Sequence, residues 1–221
     1  MTVLEYCRLG SARFVSHIDV LRQFARILRR AEIPVAYSNG FNPHALVFFS
    51  PPTPVGIGSV AEYVAIDTPL SAEETVARYN AAVTSDMRAT RAFAVTANPN
   101  LAGRTTAADY VFPFPAGAYD FSRGLTLEYE KKGEKVREEA ADRIFAVSES
   151  EGRLKLTLAS GNVTLRADRV FAALSRETGM KASVTDVVKT AQYLRVGDGV
   201  SLTVPAALEN ARDGGEALKT K

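Results

Sequence analysis

The first 97 residues alternate strand-like and helix-like hydrophobic patterns in the order β-α-β-β-α-β, which restricts the fold more than any other feature of the chain. Residues 3–9 have the β-branched, aromatic and alternating content of a strand, broken by Gly10 and Ser11. Ser16, His17, Ile18 and Asp19 form a capping-box variant. The Ser16 hydroxyl can accept from the Asp19 backbone N–H, and the Asp19 carboxylate meets the positive end of the helix dipole. A helix is predicted from there to about residue 31. On a helical wheel, Ile18, Val20, Leu21, Phe24, Ala25, Ile27, Leu28 and Ala31 fall on one half. Asp19, Arg22, Gln23, Arg26, Arg29 and Arg30 fall on the other. Pro34 ends the helix. Segments 35–37 and 45–49 form one interrupted second strand or two strands, around a dense turn at 38–44. Residues 51–59 are a second loop, stiff with proline at its start. Residues 61–67 are a strand. Ser71 to Glu74 is a full capping box, and Val76, Tyr79 and Val83 mark the buried stripe of its helix. Residues 90–97 close the unit as a strand. This is the ferredoxin-like, split β-α-β arrangement.

The second half is less regular. Residues 107–114, 125–131, 142–147 and 153–158 read as strands, with a helical turn at 117–123 and a charged stretch at 131–139 between strands. Residues 166–178 read as a helix with Val170, Phe171 and Leu174 inward and Gly179 at its C′ position. Residues 184–196 are a final strand region. The predicted class is α+β with two tandem ferredoxin-like units. The first spans 1–97, a linker 98–105, the second 106–205, and a polar disordered tail 206–221.

Composition removes several chemistries. One cysteine (Cys7) makes no intrachain disulfide, and one cysteine with two histidines cannot complete a four-ligand structural zinc site. An iron–sulfur cluster needs more thiolates than this chain offers. There is no P-loop, G-x-G-x-x-G or H-E-x-x-H motif. The start lacks the pattern of a secretory signal, and the longest apolar patch, 45–49, is far short of the roughly 18 residues of a membrane span. Cytoplasmic residence without membrane contact is expected. Cys7, in mid-strand, reads as buried and inert.

Net charge is only +2, from 27 basic and 25 acidic residues, yet it is unevenly spread. Arg13, Arg22, Arg26, Arg29 and Arg30 face only Asp19 and Glu32 between residues 11 and 44, and the first lysine is Lys131. Such a face is either simply solvated or a site for RNA or an acidic protein, since arginine suits bidentate phosphate and carboxylate contacts. His17, in the first turn of its helix, is either a packed histidine or part of a pocket shared with loop 38–44. The helix dipole there favours its neutral ring. In that loop Ser38, Asn39, Gly40, Phe41, Asn42 and His44 could bring backbone donors close to a phosphate or carboxylate; the plainer reading packs His44 on Phe41. Ser16, His17 and Asp19 are no triad, because Ser16 is used as a cap and residues two apart on a helix face away from each other.

Three stretches together resemble the bacterial radical SAM-linked protein family. The first is Ala12-Arg13-Phe14-Val15-Ser16-His17-Ile18-Asp19. The second is Arg26-x-x-Arg29-Arg30-Ala31-x-Ile33-Pro34-x-Ala36-Tyr37-Ser38-x-Gly40-Phe41-Asn42-Pro43-His44. The third is Pro54-Val55-Gly56 with Ser59-x-x-Glu62-Tyr63. Leu165-Arg166-Ala167-Asp168-Arg169-Val170 and Thr190-Ala191-Gln192-Tyr193-Leu194 look like the family's C-terminal landmarks. Ala45-Leu46-Val47 departs from the family's polar or basic strand start, and Thr53 replaces a leucine in its proline loop. The resemblance implies a partner: a radical SAM enzyme holding the iron–sulfur cluster and S-adenosylmethionine, with no cofactor in this chain. Binding residues expected on this basis are Arg13, His17, Asp19, Arg22, Arg26, Ser38, Asn39, Gly40, Phe41, Asn42, His44, Gly56, Ser59 and Glu62. Tandem ferredoxin-like units also resemble, in architecture alone, CRISPR repeat-processing RNA endonucleases.

The leading expectation is therefore a non-catalytic accessory or substrate-recognition protein for that enzyme, with RNA on the arginine face of helix 17–31. The alternative is a metal-independent RNA-processing endonuclease with His17 and His44 as general acid and base. A third reading is a small-molecule or metal binder using both histidines with Asp19 or Glu62.

Overall fold

Ser16 and Ser71 each cap a helix in the computed structural model, which describes residues 1–197 and 199–212. Ser16 Oγ accepts from the Asp19 N–H at 3.2 Å and opens α1 (His17–Arg30); Ser71 Oγ accepts from the Glu74 N–H at 3.1 Å and opens α2 (Ala72–Ala82). Both helices lie on one face of a sheet built in the first half from β1 (Thr2–Arg8), β2 (Val47–Phe49), β3 (Gly58–Ile66) and β4 (Ala89–Ala94). The strand order is β4-β1-β3, with β2 on the far side of the C-terminal part of β3, all antiparallel. Every residue of β1 is buried, because both faces of this central strand are covered.

The second half contributes α3 (Leu101–Arg104), β5 (Thr105–Pro115), β6 (Thr126–Lys131), β7 (Glu134–Glu139), β8 (Ile144–Ser150), β9 (Arg153–Ala159), α4 (Ala167–Thr178), β10 (Val188–Arg195), β11 (Ser201–Thr203) and α5 (Val204–Arg212). Its strands run in the order β10-β5-β9-β8, with β11 added on β10. β10 also pairs with β3, in parallel, at Val188↔Gly58 and Lys189↔Ser59, so one nine-stranded sheet passes through both halves. The chain is thus α+β, with five α-helices among the described residues.

Three apolar clusters hold it together. Phe24 of α1 centres the first, with ring centroids of Tyr6, Phe49 and Tyr79 at 5.3, 5.2 and 5.2 Å. The second lies on the opposite face, where Val204, Ala207 and Leu208 of α5 cover Val3, Ala61 and Tyr63. The third packs Val170 and Leu174 of α4 on Tyr110, Phe112, Leu154 and Leu156. Among the described residues no helix is long and apolar enough to cross a membrane.

Several expectations are corrected. The charged stretch 131–139 is no connector: β7 pairs with β6 through a tight turn at Lys132 and Gly133, both at positive φ. Glu134, Lys135, Arg137 and Glu139 are exposed in this two-stranded ribbon, where their charges stay in water and do not oppose pairing. The second strand of the first half is interrupted, one of the two forms the sequence allowed: it comprises β2 and an isolated Tyr37↔Ala45 bridge, because the turn residues between them leave the ladder. Residues 98–105, expected as a linker, hold α3 with Leu101 fully buried. The tail expected from residue 206 begins inside α5, and residues 213–221 lie outside the described residues. Finally, Ile18 and Leu21 are 61% and 37% exposed, and Ala25 is exposed too. Helix α1 touches the sheet through the narrower stripe Val20, Phe24, Ile27 and Leu28.

Candidate functional site

β3 and β10 stay paired for only two residues, after which each takes a different neighbour, β2 and β11 respectively. Gln192 spans the parting strands: its Nε2 donates to the Ala61 carbonyl at 2.6 Å and to Ser50 Oγ at 3.0 Å. On the helix side of this seam lies a cleft of about 390 Å³. Ala108 and Tyr110 of β5 and Lys189 and Gln192 of β10 form its floor. His17 and the loop 51–55 form one wall; Ser160, Thr164, Leu165 and Arg166, just before α4, form the other.

The floor rests on buried charge. Lys189 Nζ lies 2.7 Å from Glu62 Oε1, with the two residues 1% and 3% exposed. Thr53 Oγ1 donates to the same carboxylate oxygen. Burial works to raise the Glu62 pKa, but the Lys189 charge and the hydrogen bonds from Lys189, Thr53 and Ser59 together bring it below the usual value. Burial lowers the Lys189 pKa against the opposing pull of Glu62. Arg8, 2% exposed, donates Nε to Ala12 O, Nη1 to Thr53 O, and Nη2 to both Arg13 O and Val15 O. The guanidinium thereby ties the proline loop to the approach to α1. Gly56 closes the loop at φ +91°, a left-handed conformation that suits glycine, and donates its N–H to Arg13 O at 2.9 Å.

The expected site residues divide. His17 lines the cleft, its ring edge-on to Phe49 with centroids 6.0 Å apart, and Glu62 and Ser59 lie buried at the seam. Arg13 sends Nη1 to the Thr185 carbonyl and so bridges the two halves. Asp19 accepts from the Ser16 hydroxyl at 2.7 Å and pairs with Arg22 at 3.3 Å, both side chains more than half exposed. Arg26 is exposed. The loop 38–44 does not join the cleft. Its base lies with the C-terminal part of α1, where Leu28, Arg29, Tyr37 and Ala45 line a separate hollow. His17 is at the helix's other end. Within the loop, the His44 Nδ1 is 2.9 Å from Ser38 Oγ, which also accepts the His44 N–H at 3.1 Å. Phe41 is fully exposed and is no packing platform for His44. Asn39 and Asn42 are exposed, and beyond its chain neighbours a side chain added at Gly40 would meet nothing within 4 Å. Among the described residues no three His, Cys, Asp or Glu side chains gather as metal ligands.

Lys189, Gln192, Arg166, Tyr110, Thr53 and Arg8 were not among the expected site residues. Arg166 and Gln192 nevertheless sit in the two C-terminal stretches that carry the resemblance. Lys189 had a local signal: a lone cation in the apolar run Val187-Val188-Lys189-Thr190-Ala191.

Burial lowers the His17 pKa from its ordinary 6.5; Glu62 opposes this, and the Arg8 charge adds to it. An imidazole whose folded pKa lies below its unfolded one binds fewer protons in the native state. Its neutral form is therefore compatible with the fold above about pH 6.5, and stability is lost as the pH falls through that value. Thermal unfolding of parent and His17→Gln between pH 7 and 5 checks this: the parent Tm should fall more steeply. Parallel curves would show that the ring protonates freely.

A search of curated proteins gives no match. A family model described as uncharacterised protein conserved in bacteria, DUF2344, matches residues 2–162, from β1 through β9, and the chain belongs to that family.

Proposed function

We propose that this chain is a recognition protein that holds a substrate in the seam cleft and presents it to a radical SAM enzyme in the cytoplasm. The partner would supply the iron–sulfur cluster and S-adenosylmethionine. One observation carries the reading. Motif stretches from opposite ends of the chain, around His17 and Pro54 on one side and Arg166 and Gln192 on the other, line the same cleft. Convergent polar groups at the junction of two units are the usual setting of a ligand site. We read those units as tandem ferredoxin-like folds. Strand orders β4-β1-β3-β2 and β10-β5-β9-β8 support this, with the β6–β7 hairpin standing where the second unit would carry its first helix. The exposed Arg22, Arg26 and Arg29 extend from the His17 wall along α1 and suit a passing RNA backbone.

An acid–base endonuclease using both histidines needs the two rings at one scissile bond. Their placement toward opposite ends of α1 favours recognition over cleavage. Affinity purification of the tagged chain from a bacterial host, followed by mass spectrometry, should recover a protein with a three-cysteine radical SAM motif. Failure to recover one, with no association of the purified pair, would overturn the reading.

A further inference from the structure

The polar groups of the cleft specify the chemistry of its occupant. Gln192 is 1% exposed, and its side chain lies on the cleft face, opposite Ala108 in the ladder. Nε2 is fixed by the Ala61 carbonyl, which can only accept, so Oε1 is the free end of the amide. Oε1 is buried and has no hydrogen-bond partner. Such an acceptor is unfavourable until a donor reaches it, and a bound molecule with an N–H or O–H would remove that cost.

The field beneath the cleft sets the rest. Lys189 and Glu62 sum to zero charge whichever atom holds the shared proton. Arg8 is bonded to carbonyl oxygens and leaves one uncompensated buried positive charge. An anionic group is favoured there and an ammonium donor disfavoured, so the group facing Gln192 must be a neutral donor. On the rim, Asp168 holds Arg166 through Nε at 3.0 Å and Nη2 at 2.7 Å. Nη1 makes no hydrogen bond among the described residues. A guanidinium oriented in this way suits phosphate. The volume, about 390 Å³, is that of a small-ligand site.

We infer that the cleft takes a nucleotide, with its phosphate at Arg166 and a base N–H on Gln192 Oε1. This deepens the recognition reading and rests on it. Each base offers an N–H on its Watson–Crick edge, the edge by which proteins read unstacked nucleotides. The nucleotide is either free or a unit of single-stranded RNA.

Nuclear magnetic resonance titration of the full chain tests this with the four ribonucleoside monophosphates, the four nucleosides and short single-stranded RNA. At least one monophosphate should bind saturably at cleft residues. Arg166→Ala, at a half-exposed position that leaves the core intact, should weaken it about tenfold or more, the scale of one charge-assisted hydrogen bond. Nucleoside binding should not change in that variant. Gln192→Met should weaken nucleotide and nucleoside alike. Binding of RNA but not of monophosphates, still reduced by Arg166→Ala, would assign the polymer as the source. Absence of binding by both, or equal binding by parent and Arg166→Ala, would sink the inference. The recognition reading would then still stand or fall on recovery of the enzyme partner.

Discussion

Lys189→Met should lower the unfolding free energy by about 3–5 kcal/mol, the cost of leaving one member of a buried ion pair alone. Lys189 and Glu62 are both almost wholly buried and lie 2.7 Å apart, so solvent cannot replace the missing partner. In the parent, Glu62 titrates below its usual 4.5, so its contribution is present above that value and lost as the pH falls through the lower, folded one. Without the ammonium, burial is largely unopposed and the carboxyl is pushed up. The sign then reverses: Lys189→Met should recover stability as the pH falls from neutrality toward 4.5, because the folded-state carboxyl takes up its proton above that value. Glu62→Gln should be similarly costly, because it leaves the ammonium buried near Arg8. The double variant Lys189→Met with Glu62→Gln should be more stable than either single one. Urea unfolding of the four proteins at neutral pH measures the coupling. Strictly additive losses would mean that the two groups do not support each other. The pair also joins β3 to β10, so ligand affinity in the seam cleft should fall with it.

That pair shows where reading the chain succeeds and where it stops. Ser16 and Ser71 announce their helices because a cap is a contact within four residues. The order of elements through residue 97 follows from local periodicity in the same way. The seam is different: Gln192 and Ala61, which close it, are 131 positions apart. Parallel pairing of β3 with β10 leaves no local pattern beyond two apolar strands, one carrying a cation. Amphipathicity predicted the burial of Phe24 and Ile27 but also of Ile18 and Leu21, because a wheel fixes direction and not the width of the contact. His17 could be placed at a first helical turn, but its neighbour Phe49 and the cleft beside it depend on β2, which the turn at 38–44 shortens. The same turn carried the densest motif and stands away from the cleft. Many of its special residues are accounted for by the turn itself. Ser38 and His44 bond each other, and Asn-Gly and Asn-Pro shape the backbone.

Arg8→Met should cost roughly 2–6 kcal/mol, set by the acceptors it strands rather than by a lost ion pair. Of the four carbonyls on the guanidinium, Ala12 O also accepts from Val15 N–H and Arg13 O from Gly56 N–H. Among the described residues the Val15 and Thr53 carbonyls accept from no backbone N–H, and each would be left with an unmet acceptor. Desolvation of the guanidinium works in the opposite direction, and removing a charge near Lys189 relieves that ammonium slightly. The two stranded carbonyls outweigh both, because a methionine fills the space without offering a donor. Arg8→Lys separates the two roles of this residue. It restores the positive charge beneath the cleft but not the planar fork that reaches loop and helix approach together. Lysine should therefore recover anion affinity more fully than stability. Urea unfolding reads the second and nucleotide titration the first. If Arg8→Met unfolds with the parent, the four bonds only offset the burial of their own charge. The position of the proline loop would then rest on Gly56, the three prolines and the Thr53 bond to Glu62.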